Sequence, residues 1–592
     1  MSQKTENVQK GGAFLIDGIT PEQLYTPEDM TDEQKLMAKT TEDFIKKEVL
    51  PHKEKLEQKD FDLTQDLLKK AGELGLLGAD IPEPYGGLGL DKISSALITE
   101  KFSLANAFSL SYGAHVGIGS LPIVLFGTEE QKKKYLPDLA TGEKFAAYAL
   151  TEPGSGSDAL GAKTTAVLNE EGTHYILNGE KQWITNSAFA DVFVVYAKID
   201  GEHFSAFIVD RDLPGLSTGP EEKKMGIQAS STRTLILEDV AVPVENLLGE
   251  AGKGHKIAFN ILNIGRYKLA VGLVGALKRG LEVSVKYVNE RKQFNTPISQ
   301  FSLTKRKLAD MAIKTFATET SVYRTVGMFS DRLDGLDNEQ LKDGKGMAAA
   351  IAEYALECSL NKVFSSEALD YVVDEAVQLH GGYGFMAEYE VERMYRDSRI
   401  NRIFEGTNEI NRFLVPQTLL RKAMKGELPL MEKAQTLQEE LMMLKPEEPG
   451  DQQLEKEYYL LDQAKKIFLM VAGMGVQKYG KSLENEQELL VNVADIVNNI
   501  YTMEAAIVRT QKAIDHGSAY EQKMLMTEVF CQEAFQDIEA YAKESLLMLE
   551  TGDGLRMMLS ALRKLTRFTP ENVIAKKRQI SEKVISEESY VV

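Results

Sequence analysis

The sequence predicts a mostly α-helical protein with a central β domain, a four-helix bundle after it and a further helical domain appended at the C-terminus. Three observations carry that expectation. Apolar residues recur at helical spacing before about residue 145 and after about residue 252; between these limits they gather in short runs bounded by Gly, Asn and Pro; and a Pro- and Glu-rich stretch near residue 447 separates two helical regions. A chain of 592 residues exceeds one ordinary core, at about 150 residues per domain, so several packed units are expected.

Residues 1–31 are read as an N-terminal arm and 32–148 as an N-terminal helical domain. There Leu36, Phe44, Ile45 and Val49, then Leu67, Leu68, Ala71 and Leu74, mark helical faces, and Pro82, Pro84 and Gly86-Gly87 mark one sharp loop. Phe102 to Thr128 holds no Asp, Glu, Lys or Arg and is long enough to cross a bilayer. Its Gly113, Gly117, Gly119, Gly127, Pro122 and His115 suit close-packed core helices near a ligand better than a lipid-facing span, so no transmembrane segment is expected. Residues 149–252 are read as a β domain, with strands over Thr173 to Leu177, Val192 to Ala197, Phe204 to Val209 and Thr234 to Leu237. Residues 253–428 follow as the bundle, with helices over Ile257 to Tyr287, Leu303 to Leu333, Gly346 to Leu379 and Glu409 to Lys425. A linker over 429–451, containing Lys445-Pro-Glu-Glu-Pro-Gly450, leads to the appended helical domain at 452–592.

Composition narrows the function. With 43% hydrophobic residues, 27% charged and a net charge of −20, the chain is globular and carries no basic stripe for nucleic acid. Cys358 and Cys531 lack CxxC spacing and the seven histidines lack an HExxH pair, so neither a disulfide framework nor a metal is expected. Gly249-Glu-Ala-Gly-Lys-Gly254 fails the phosphate-loop pattern because Gly follows Lys253. The N-terminus lacks a secretory or transit pattern, which places the expected site of action in the cytoplasm.

Three motifs carry chemistry. Leu150-Thr-Glu-Pro-Gly-Ser-Gly-Ser-Asp158 lies where helices give way to strands; it is either a tight domain junction or a loop that brings backbone and hydroxyls against a polar ligand. Lys181-Gln-Trp-Ile-Thr-Asn186 holds the only tryptophan, which is either a core aromatic or a surface for a planar ring with a hydroxyl beside it. In Asn401-Arg-Ile-Phe-Glu-Gly-Thr-Asn-Glu-Ile410, Glu405 is either a helix-terminal acid or a buried base whose pKa is lifted by its apolar neighbours.

In this order, and with Lys224 to Thr232 (KMGIQASST), Arg291 to Ile298 (RKQFNTPI) and Gln378 to Phe385 (QLHGGYGF), the motifs resemble those of the acyl-CoA dehydrogenase family over about residues 35 to 425. The resemblance implies a noncovalent FAD. Leu150, Thr151, Trp183 and Thr185 would lie along its ring, Thr407 and Glu409 would contact it after the base, and Arg291, Phe294, Gln378 and Gly382 would reach the FAD of a neighbouring subunit. A homodimer or higher oligomer is thereby implied. Asn295 stands where the family commonly has Gly, and Asn also tolerates positive φ. Ser157, Asn263, Arg266 and Gly406 match substrate-lining positions, Ser157 also lying near the cofactor, and Gly113 and Ala114 would floor the acyl pocket.

Glu405 matches the catalytic base. It would remove the α-proton of an acyl-CoA while the β-carbon gives hydride to FAD, yielding a trans-2-enoyl-CoA in fatty acid β-oxidation, with electrons passing to an electron-transfer flavoprotein. Some relatives place their base where this chain has Gly265. Small residues in the pocket helix and the appended domain resemble the very-long-chain branch, which implies long-chain substrates and peripheral membrane contact through stretches such as Tyr458 to Val476. The alternatives are an acyl-CoA oxidase using oxygen, and a mainly non-catalytic assembly or scaffold protein of the same fold.

Overall fold

The computed structural model describes residues 8–336, 344–441, 449–450 and 452–592. The N-terminal helices are α1 (Asp32–Phe44), α2 (Lys53–Glu57), α3 (Phe61–Glu73), α4 (Lys92–Phe102), α5 (Phe108–Gly113), α6 (Leu121–Phe126) and α7 (Glu129–Thr141). Local chemistry sets their starts. The Thr31 and Thr128 hydroxyls accept the N–H groups of Gln34 and Gln131, whose side chains return the bond, and the Asp60 and Asp91 carboxylates cap α3 and α4. Between α5 and α6 the chain widens into a π-helical stretch at Ala114–Gly119, which periodicity does not announce.

Strands β1 (Ala146–Ala149), β2 (Thr165–Leu168), β3 (His174–Thr185), β4 (Val192–Ile199), β5 (His203–Asp210), β6 (Leu216–Thr218), β7 (Thr232–Pro243) and β8 (Leu247–Leu248) form one sheet in the order β6-β7-β3-β2-β4-β5-β8, with β1 beside β4. Alternation along β4 sends Phe193, Val195 and Ala197 into a core on one face and Val192, Val194 and Tyr196 into a core shared with the N-terminal helices on the other. His115 joins the two layers: its Nε2 meets Leu139 O at 2.9 Å and its Nδ1 accepts Ala146 N–H at 3.0 Å. That pair of contacts defines the neutral Nε2–H tautomer, and burial lowers the pKa to about 4.

Helices return with α8 (Gly254–Glu290), α9 (Ser302–Asp334), α10 (Gly344–Glu353), α11 (Ala355–His380), α12 (Glu390–Ser398) and α13 (Asn408–Met424). The single helix expected over Gly346 to Leu379 is two, broken at Tyr354, whose buried ring packs on Phe329. Both the Phe108–Phe126 stretch and α8 are apolar enough to cross a membrane, yet 78% and 72% of their most apolar windows are buried within the protein. They are core helices.

The stretch 429–451, expected as a linker, instead contains α14 (Leu430–Leu441), because Leu430, Leu437 and Leu441 fall on one buried face; most of Lys445 to Gly450 lies outside the described residues. Beyond it come α15 (Glu455–Tyr479), α16 (Gln487–Asp515), α17 (Glu521–Leu549), α18 (Gly552–Leu565) and α19 (Val573–Glu587). In α15 the apolar face expected at a membrane, with Leu460, Ala464, Ile467 and Val471, is buried in a core continuous with the bundle. These apolar residues of Tyr458 to Val476 thus pack on the protein's own core. The arm also enters this core through Ala13, Phe14 and Leu15.

Candidate active site

Glu405 stands on the loop between α12 and α13 in the left-handed region, with φ 57°, and Gly406 follows at φ 79°. A side-chain-bearing residue holds this backbone at a cost, and donors on neighbouring helices hold it there. Arg266 Nε of α8 donates to Glu405 O at 3.0 Å, Lys362 Nζ of α11 donates to Gly406 O at 2.8 Å, and Asn411 Nδ2 of α13 donates to Gly406 O at 2.8 Å and Thr407 O at 3.0 Å. Lys362 also reaches Asn408 Oδ1 at 2.8 Å. Thr407 caps α13 through Ile410 N–H at 3.3 Å, and Glu409, exposed in the first turn, favours the helix dipole.

The Glu405 carboxyl borders a largely apolar cavity of about 240 Å³. Its Oε2 is buried and has no hydrogen-bond partner among the described residues. Burial raises its pKa to about 7, while the charges of Arg266 and Lys362 pull the other way. A Cβ on Gly265 would come within 2.4 Å of Oε2, so the bare α8 backbone at this point makes room for the carboxyl. Thr185, Gly113 and Ala114 line the same cavity.

The other two motifs meet beside it. Gln182 N–H donates to Thr151 O at 2.8 Å. Two β3 residues, Gln182 and Trp183, oppose one residue of β7, and this bulge leaves Trp183 at φ 59° and 59% exposed. Below it the Glu152 carboxylate accepts Lys163 N–H, Thr164 N–H and the buried Lys181 ammonium, the last at 2.7 Å, so the Leu150 to Asp158 loop is pinned to the sheet. The exposed Trp183, with Thr151 bonded to its neighbour Gln182, Thr185 two residues along β3 and Leu150 buried, fits a planar polar ring system. Ser157 is exposed in the same loop and does not line the Glu405 cavity.

Asn263 and Arg266, expected along the substrate, are buried, and Arg266 bonds Asn263 Oδ1 at 3.0 Å as well as the base loop. In this structure they shape the base. Arg291 and Gly382 line a different cavity of about 540 Å³ with Tyr287 and His380, whose rings stack at 4.0 Å. Gln378 is exposed, and Phe294, 89% exposed, projects from a two-residue hairpin turn in which it and Asn295 take φ 52° and 60°. Within one chain this group does not line the Glu405 cavity.

Sequence reasoning missed Lys362, Asn408, Asn411, Glu152 and Lys181. A lone lysine among the small and apolar residues Cys358 to Phe364 was the available signal for Lys362. It also missed Asp397 at the end of α12, whose Oδ1 accepts Ile227 N–H at 2.5 Å and so holds the KMGIQASST loop against the bundle.

The comparisons agree with this geometry. Family models described as the acyl-CoA dehydrogenase N-terminal domain, middle domain and C-terminal domain match residues 31–143, 147–240 and 252–420, and a further acyl-CoA dehydrogenase C-terminal domain matches 463–564. A probable acyl-CoA dehydrogenase of Bacillus subtilis is 70% identical over the whole of both chains. A crystal structure of acyl-CoA dehydrogenase complexed with FAD from Bacillus anthracis superposes with a TM-score of 0.97 at 70% identity, covering 99% of this chain and 100% of that one. The rat mitochondrial very long-chain specific acyl-CoA dehydrogenase is 36% identical, over 86% of this chain and 79% of that protein. With matched domains in this order around a carboxyl whose Oε2 is buried without a hydrogen-bond partner among the described residues, the chain belongs to the acyl-CoA dehydrogenase family.

Proposed function

We propose that the protein oxidises long-chain acyl-CoA thioesters to trans-2-enoyl-CoA in fatty acid β-oxidation, with Glu405 as the base and an electron-transfer flavoprotein as electron acceptor. It is an acyl-CoA dehydrogenase and its cofactor is FAD. The observation that carries the base assignment is the Glu405 carboxyl, whose buried Oε2 has no partner among the described residues, sharing an apolar cavity with Thr185. FAD, when bound along Thr151, Trp183 and Thr185, supplies the hydride acceptor. The chain's own residues supply the rest. The cavity excludes water around the α-carbon, Glu405 takes the α-proton, and the raised pKa makes that carboxylate a stronger base than one in water. The Glu405 backbone N–H has no acceptor among the described residues, which leaves it free for the thioester oxygen as negative charge develops there.

Long-chain preference is supported by Gly113 and Gly272, where an added Cβ would meet no atom within 4 Å although both line the cavity, and by the very long-chain relative. The projecting Phe294 and the Arg291 cavity support a homodimer in which that surface meets the partner's cofactor. The test is an absorption spectrum of the purified protein followed by anaerobic palmitoyl-CoA. The flavin bands bleach; Glu405→Gln retains them and slows bleaching about 10²–10⁴-fold. Bleaching at the original rate in the variant overturns the base assignment.

A further inference from the structure

The cavity beside Glu405 does not end in a plain apolar wall. Asn106 and Arg279 line it, and these same two residues are the ones it shares with a second cavity of about 630 Å³. The two spaces differ in kind. The first is bordered by Leu110, Val116, Leu269, Leu273 and Val373; the second is walled by ion pairs, Lys278 to Glu100 at 2.8 Å and to Glu319 at 2.6 Å, and Arg509 to Glu28 at 2.8 Å. The chain's last residues close part of it, with the Tyr590 hydroxyl donating to Glu319 at 2.9 Å.

One boundary residue is held by carboxylates and the other sits on a strained backbone. The Arg279 guanidinium grips Glu390 through Nε at 3.0 Å and Nη2 at 2.7 Å, and its Nη1 meets Glu282 at 3.0 Å. Such a two-point pair fixes the planar head in one orientation. Asn106 sits at φ 50° and ψ −132°, a backbone that glycine adopts freely and a side-chain-bearing residue rarely does. Asn therefore stands here at a conformational cost, next to the boundary.

We propose that Asn106 and Arg279 form the end wall of the acyl cavity and set the longest acyl chain the enzyme accepts. This rests on the reading of the Glu405 cavity as the acyl site. Each methylene that still fits on the apolar side gains by leaving water. One that must pass the wall meets a guanidinium already satisfied by carboxylates and gains nothing by displacing it. Opening the wall joins the acyl cavity to the larger space behind.

The experiment uses flavin-loaded, full-length enzyme and measures anaerobic bleaching rates with dodecanoyl-CoA and docosanoyl-CoA. Asn106→Gly relieves the backbone while removing the side chain, so it keeps the test clear of folding defects, and Arg279→Ala removes the other half of the wall. In each, the docosanoyl-to-dodecanoyl ratio rises about tenfold or more. Gly272→Leu fills the cavity from α8, and the ratio falls by a similar factor. If Gly272→Leu lowers the ratio while both wall variants leave it unchanged, the acyl site stands and the end wall lies elsewhere. If Gly272→Leu also leaves it unchanged, the chain does not lie in this cavity, and the acyl-site reading fails together with the wall. A merely structural role for Asn106 or Arg279 slows both substrates alike, leaves the ratio fixed and overturns the proposal.

Discussion

Glu405 couples catalysis to stability. Its pKa rises from 4.5 to about 7 because burial disfavours the charged form more than Arg266 and Lys362 favour it. For an acid with a raised folded-state pKa, the unfolded chain releases its proton first as pH increases. The contribution to stability is therefore intact below about pH 4.5, is lost as pH rises, and stays lost above about 7. Glu405→Gln, which carries no charge, gains stability over the parent at pH 8 and almost none at pH 4.5. The difference is on the order of 1–3 kcal/mol, discounted for the partial exposure of the residue to the cavity, and thermal melts of the two proteins at both pH values check it. An equal difference at the two pH values rules out burial of charge at Glu405 as the cause. In the parent enzyme the bleaching rate climbs with pH through about 7, since only the carboxylate accepts the α-proton.

At the level of elements, two loops and a bulge build the site. The Leu150 to Asp158 loop keeps its shape because Glu152 gathers donors from three places, of which Lys181 is fully buried. Glu152→Ala leaves that ammonium buried without its carboxylate, which costs about 3–5 kcal/mol, and frees the loop that carries Thr151. The expected result is a lower melting temperature together with loss of bound flavin during gel filtration. Lys181→Met removes the buried charge itself and costs less on both readouts. Equal losses in the two variants dismiss the buried charge as the reason. The motif letters announced this loop, yet not its support, because Glu152 and Lys181 are 29 positions apart and meet only through the pairing of β3 against the loop.

Across the whole molecule, the appended helices are built into the bundle. Arg509 of α16 joins Glu319 of α9 at 2.8 Å and Glu28 of the N-terminal arm at 2.8 Å, while Arg324 of α9 meets Glu504 of α16 at 2.7 Å. The arm adds Gly12 N–H on the buried Glu357 carboxyl at 2.7 Å and Phe14 edge-on to Tyr501. These contacts together tie three distant parts of the chain. Arg509→Met removes the cation shared by Glu319 and Glu28 while Lys278 stays on Glu319 and Lys523 on Glu28, and it destabilises the protein by about 1–3 kcal/mol, read as a lowered denaturation midpoint. An unfolding free energy within about 0.5 kcal/mol of the parent makes these Arg509 pairs incidental to stability.

The sequence by itself determined the order of helical and β regions, because the hydrophobic period is a local property of the chain: α8 and α9 run only a few residues past the apolar stretches that announce them. It also determined which loops carry chemistry, since Gly, Trp and Glu in the three motifs are visible as letters. Tertiary structure alone decided how those letters act. Arg266, matched to a substrate-lining position, turns to the base loop; Lys362, unnoticed, holds Gly406; and Gly265 matters for the space it leaves to Glu405. Helix period likewise failed at Tyr354 and at the π-helical turn, where the packing of distant side chains decides whether a helix breaks or widens; at α14 the period of Leu430, Leu437 and Leu441 is present in the sequence beside the Pro- and Glu-rich stretch read as a linker. Where the period failed, the reason is the same. Periodicity reports which face of an element is buried, whereas burial of a charge, a free oxygen or a cavity wall depends on partners that only folding brings within reach.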